Sequence, residues 1–114
     1  MSTWRRVVVT GMGVVSPLGC SVPEAWTNLL SGMSGVGPLT RFDASEYRSR
    51  IAGEVKNFDI TRYLESKEAN RLDLYCHYAV ASAHEALTQA GLLGTHKMDY
   101  NRAGVLVASG IGGI

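Results

Sequence analysis

Long apolar runs are missing from this chain, and so are cysteine frameworks and any marked excess of charge. Its longest apolar stretches, Val7–Val9 and Val105–Ala108, fall far short of the roughly 20 residues that cross a bilayer. Arg5 and Arg6 precede the first stretch, but Thr10, Gly11 and Pro17 interrupt it before it could serve as a signal-peptide core. Two cysteines, Cys20 and Cys76, are too few and too distant for a disulfide framework or a zinc site, which favours a reducing, cytoplasmic setting. A net charge of +1 gives no general pull toward nucleic acid or membrane, so any electrostatic partner must be met by a local cluster. The chain is 114 residues long, 46% hydrophobic and 18% charged, enough for one small domain and not for two.

Arg5–Thr10 is a β-branched run closed by glycine and predicts a buried strand. After a loop of small residues, Ser21 and Glu24 form a capping box with Pro23 inside the first turn. Val22, Ala25, Trp26, Leu29 and Leu30 then make one apolar helix face, and Gly32 is placed to stop the helix. Gly32–Pro38 reads as a glycine-rich connection, Ile51–Val55 as a short strand, and Ile60–Leu64 as a helical turn entered through Phe58 and Asp59. Ser66 is a candidate cap for a long helix reaching Ala90, with alanines at 79, 83, 86 and 90 that would admit a close neighbour; Gly91 ends it. Gly104–Ala108 is an unalternating apolar run, which predicts a strand covered on both faces.

Gly11-Met12-Gly13 after the first strand begins like a dinucleotide fingerprint. The third glycine position holds Ser16, Pro17 follows, and no carboxylate stands in Ser31–Pro38 to meet a ribose, so a tight glycine turn is the better reading. Cys76 falls on an apolar helix face and reads as a small hydrophobe, whereas Cys20 stands next to a helix start that could lower its pKa slightly. His77 and His84 are two turns apart, too far to share a metal ion, and His96 stands in a polar loop. Lys67 and Arg71, with Arg62 upstream, are interleaved with Glu68 and Asp73. Their sequence alone favours a solvated face with local ion pairs over a basic docking patch.

Five blocks, in order, carry a resemblance: VVVTGMGVVSPLG (7–19), Trp26 with LLSGMSGV (29–36), RFD (41–43), AGEVKNFD (52–59) and VASGIGG (107–113). Together they resemble the β-ketoacyl-acyl-carrier-protein synthases, in particular the type II elongation enzymes, with polyketide ketosynthases and their chain-length partners as near alternatives. The resemblance implies the N-terminal part of a thiolase-like α-β-α-β-α fold, an incomplete domain over 1–114, in a homodimeric parent. It implies condensation of an acyl thioester with malonyl-carrier protein, the substrate riding on the carrier's phosphopantetheine arm and no other cofactor. The family's catalytic cysteine and two histidines match no position here, so the chain alone is expected to be inactive. Ile111 matches the family's acyl-pocket residue, with Ala108 at a frequent glycine. Lys67 and Arg71 match basic positions that meet the acidic carrier, and Asn70 replaces a usual basic residue. The resemblance thus turns the expectation toward a docking patch. A non-catalytic carrier-binding module is the remaining alternative.

Overall fold

The computed structural model describes residues 4–94 and 98–113. Its elements run α1 (Val22–Leu30), β1 (Val36–Pro38), β2 (Ile51–Gly53), a 3-10 turn (Ile60–Arg62), α2 (Ser66–Ala69), α3 (Leu74–Gln89) and a second 3-10 turn (Tyr100–Arg102). His96 lies outside the described residues.

The first helix forms as its sequence dictates. The Ser21 hydroxyl accepts the Glu24 N–H at 3.4 Å, Pro23 has no N–H to satisfy, and the Ser21 carbonyl accepts from Ala25 at 2.9 Å. The other half of the expected box is displaced by one residue: the Glu24 carboxylate accepts the Cys20 N–H at 2.7 Å. Gly32, with φ +72°, follows the Ser31 cap and ends the helix.

Several expectations are corrected. Arg5–Thr10 and Gly104–Ala108 are not strands: both are solvent-exposed, Val7 to 93% and Leu106 to 94%. A strand exists only where a neighbour takes its N–H and C=O groups, and among the described residues none lies beside either segment. The observed sheet is instead the antiparallel pair β1–β2, with Gly37 opposite Ala52, so the Gly32–Pro38 connection contributes a strand. Finally, the long helix is broken. Ser66 does not cap it; Glu65 holds that place without a side-chain bond. Arg71 and Leu72 donate to Glu68 and Ala69 in tight i→i−3 turns, Asp73 is extended (φ −70°, ψ 158°), and α3 restarts from it.

The buried apolar residues are small, namely Ala44, Ala69 and Ala81. The radius of gyration, 17.6 Å, exceeds the roughly 13 Å of a compact domain this long. The glycine turn packs against α3. A Cβ on Gly11 would collide with the Ala86 carbonyl, and one on Gly13 with that of Ser82, so the glycine turn lies directly on the helix backbone. This is the close neighbour the alanine pattern anticipated, although the contact row is Ser82–Ala86–Ala90 and Ala83 faces solvent. On the other side, Phe58 meets Tyr78 edge-on at 5.1 Å and Tyr63 meets His84 edge-on at 5.2 Å.

Candidate functional site

The corner between α2 and α3 carries the charged candidates. Lys67 is exposed on α2, and Arg71 is exposed in the turn that follows. The corner is fixed from beneath: His77 Nε2 lies 2.9 Å from the carbonyl of buried Ala69 and, facing an acceptor, donates to it. The local ion pairs expected of a merely solvated face do not form here. Among the described residues the one ion pair is Arg62 with Asp59, at 4.0 Å, which leaves Lys67 and Arg71 without an acidic contact from Glu68 or Asp73. No such pair has to be broken before an acidic surface can approach them.

The second candidate, Ile111, is 78% exposed on the turn Ser109–Gly113. In that turn the Ser109 hydroxyl accepts the Gly112 N–H at 3.0 Å. The turn lies against the start of α3, where Gly112 faces the Tyr75 ring and Gly113 faces the Asp73 carboxylate. The fold therefore brings the Ile111 turn to the same corner as the Lys67–Asp73 segment.

The cysteines and histidines gather no catalytic set. Partial burial is the main reason the Cys20 thiol titrates above its ordinary range, with the Glu24 charge adding to it and Arg62 opposing. That reverses the slight lowering expected from the helix start: burial outweighs it, and Glu24 adds a negative charge beside the thiol. Cys20 Sγ donates to the Lys56 carbonyl at 3.5 Å. Both cysteines are free thiols, and His84 is engaged with Tyr63. Among the described residues no three His, Cys, Asp or Glu side chains converge as a metal ion would require.

Two carboxylates escaped the sequence reading. Glu85 on α3 accepts from Val14 N–H at 3.0 Å and from Val22 N–H at 2.8 Å. Glu54, buried, accepts from the Thr40 N–H (3.0 Å), the Thr40 hydroxyl (2.7 Å) and the Arg41 N–H (3.2 Å). Hydrogen bonds from Thr40, first through its backbone and then its hydroxyl, hold Glu54 below the usual carboxylate range, and Arg41 adds to the effect. Arg41 Nη2 in turn donates to Tyr78 Oη at 3.1 Å. The RFD and AGEVKNFD blocks are thus joined through Glu54 and tied to α3 through Arg41. The signal that could have found Glu54 was a lone carboxylate directly after β-forming residues.

Residues 4–114 match the family described as "Beta-ketoacyl synthase, N-terminal domain". The chain belongs to the β-ketoacyl synthase family. It is 44% identical over 110 residues to a 3-oxoacyl-[acyl-carrier-protein] synthase 2 of Synechocystis, covering 96% of this chain and 26% of the relative. The Vibrio harveyi protein of the same description is 46% identical over 110 residues, with the same coverage. That of Staphylococcus aureus strain COL is 43% identical over all 114 residues, 27% of its length. The chain thus spans about a quarter of the length of these synthases. Among solved structures, the ishigamide ketosynthase/chain length factor matches at TM-score 0.69 and 40% identity, over 77% of this chain and 22% of the other. A β-ketoacyl synthase from Burkholderia phymatum matches at TM-score 0.66 and 29% identity, over 82% and 23%. The fold is accordingly α/β, that of the opening part of the thiolase-like ketosynthases. Among the described residues no helix is long and apolar enough to cross a membrane.

Proposed function

We propose that this β-ketoacyl synthase segment serves a 3-oxoacyl-acyl-carrier-protein synthase of fatty-acid elongation, and that it supplies carrier docking and part of the acyl pocket rather than the chemistry. The observation that carries this reading is the 43–46% identity to 3-oxoacyl-[acyl-carrier-protein] synthases across essentially the whole chain. In the reaction, a cysteine thiolate takes the acyl group from its carrier thioester. Decarboxylation of malonyl-carrier protein then yields a carbanion that attacks the acyl-enzyme, giving 3-oxoacyl-carrier protein and CO2 and returning the cysteine. Neither Cys20 nor Cys76 takes that role in our reading, since neither stands in a block that matches the family's catalytic cysteine, and burial raises the Cys20 pKa above its ordinary range. Lys67 and Arg71 receive the acidic carrier, and Ile111 meets the acyl chain. The phosphopantetheine arm of the carrier brings the substrate, and no resident cofactor is invoked. The whole enzyme is proposed to work as a cytoplasmic homodimer, on the strength of the family resemblance and the two free thiols.

The test is a chimera in which residues 1–114 replace the aligned segment of the Vibrio harveyi relative. We expect 3-oxoacyl-carrier protein to form from saturated acyl-carrier and malonyl-carrier substrates. Lys67→Glu with Arg71→Glu should raise KM for acyl-carrier protein about tenfold or more with kcat little changed, as loss of docking alone requires. A folded but inactive chimera would sink the synthase reading, while carrier binding retained by that chimera would favour a non-catalytic binding module. On the isolated chain, intact mass after incubation with acyl-carrier protein should show no acyl adduct on either cysteine. The 40% identity to a ketosynthase/chain length factor supports a second reading, polyketide extension. A chimera that extends 3-oxoacyl but not saturated substrates would decide for it.

A further inference from the structure

The geometry points to Asp73 and Tyr75, at the start of α3, as positioning residues for the Ser109–Gly113 turn, and through it as determinants of which acyl chains Ile111 admits. The inference rests on the reading of Ile111 as an acyl-pocket residue and adds what places it. Ile111 stands between two glycines and is 78% exposed, so its own side chain does little to hold it, and its position follows the backbone of the turn. That backbone is fixed from one side. A Cβ on Gly112 would sit 3.6 Å from Tyr75 Cε1 and 3.7 Å from its hydroxyl oxygen, and a Cβ on Gly113 would collide with the Asp73 carboxylate. Gly112 has φ +82°, the left-handed region that a side chain disfavours, and its N–H is donated to Ser109 Oγ.

Asp73 gives an independent sign. It occupies the N-cap position of α3, where an aspartate ordinarily accepts an N–H of the first turn, yet its side chain makes no capping bond. Its carboxylate faces Gly113 instead. Asp73 also closes the segment that begins at Lys67, so the stretch that would meet the carrier and the turn that would read its cargo share one corner. Tyr75 is 38% exposed, and the edge of its ring lies on the side of Gly112 where a side chain would stand. A turn that lies against one aromatic ring edge and one carboxylate moves when either is trimmed, and a pocket wall displaced by the width of a methylene changes chain-length preference.

Two measurements test this, one independent of activity. In the isotope-labelled 114-residue chain, Tyr75→Leu and Gly113→Ala should each move the Ile111 methyl and Gly112 amide resonances, while those of Ser82 and Ala86 stay in place. Tyr75→Phe, which keeps the ring, should restore the wild-type Ile111 position. Unmoved Ile111 and Gly112 resonances in both variants would overturn the positioning role. In the chimera described above, Tyr75→Leu should change the ratio of kcat/KM for long against short acyl carriers about tenfold, the scale of one or two methylenes in a pocket, with KM for malonyl-carrier protein unchanged. An equal fall for all chain lengths would reduce Tyr75 to a structural residue and overturn the specificity claim. A wild-type chimera that does not condense is the failure of the synthase reading, and the specificity claim falls with it. The resonance result then still decides the positioning.

Discussion

The Glu85 carboxylate, on α3, accepts the N–H of Val22, the first residue of α1, at 2.8 Å. Its other oxygen accepts from Val14 at 3.0 Å, so one side chain latches both ends of the loop that joins the glycine turn to α1. With Ser21 serving Glu24 and Ala25, the start of α1 is fully satisfied. Glu85→Ala strips two charge-assisted bonds and should cost about 2–4 kcal/mol. Glu85→Gln, which keeps one acceptor oxygen, should cost about half as much. Chemical denaturation of the three proteins checks the order, and equal midpoints for wild type and Glu85→Ala would refute the latch.

That latch marks the boundary of what the sequence discloses. Ser21, Pro23 and Gly32 were legible because a helix start and stop are settled within a few residues. Lys67 and Arg71 were legible as part of a charge cluster, but the absence of ion pairs to Glu68 and Asp73 depends on how the α2–α3 corner turns. The break at Asp73 hid inside a pattern of apolar spacing that ran on through it, because spacing records which residues are apolar and not where the backbone turns aside. Val7–Val9 and Val105–Val107 have strand composition but lack a pairing neighbour among the described residues, and composition cannot supply one. Glu54 and Glu85 find partners far away along the chain, which no local pattern records.

Acid should loosen the β1–β2 hairpin through Glu54. Its folded pKa lies below the usual carboxylate range, chiefly because the Thr40 N–H and hydroxyl bind the charged form. The sign follows from linkage: the stabilisation is fully present above the unfolded pKa and is lost as pH falls through the lower, folded value. Above about pH 5 the Thr40 amide should be constant, and below about pH 4 it should drift toward its unfolded position. Glu54→Gln should abolish that drift. A Thr40 amide that titrates at the ordinary glutamate position would show that the bonds do not discriminate between the two protonation states.

Asn57, in the AGEVKNFD block, has φ +56°, a left-handed conformation that asparagine tolerates and β-branched residues resist. Asn57→Gly should leave stability unchanged within about 0.5 kcal/mol or raise it slightly, while Asn57→Val should cost about 1–2 kcal/mol. Thermal unfolding of the pair distinguishes backbone strain from a lost side-chain contact. If the glycine variant falls as far as the valine one, the side chain and not the backbone is what matters there.

Gly13 answers the same question for the motif that imitates a dinucleotide fingerprint. Were it there to approach a pyrophosphate, its substitution would weaken nucleotide binding and leave the fold alone. In the structure its open side is filled by the Ser82 carbonyl of α3, so a methyl group has no room. Gly13→Ala should therefore force the turn off the helix and cost about 1–3 kcal/mol, the usual penalty for overpacking. Because Val14 hangs from Glu85 one residue later, the displacement should also lengthen that bond and expose the Val14 amide to hydrogen exchange. The measurement is exchange at Val14 and Val22 in the glycine and alanine forms, with NAD added to each. Faster exchange at both amides in Gly13→Ala, and no protection by NAD in either form, is the expected pattern. Protection by NAD in the wild type alone would return the motif to nucleotide binding and remove the packing account of both glycines.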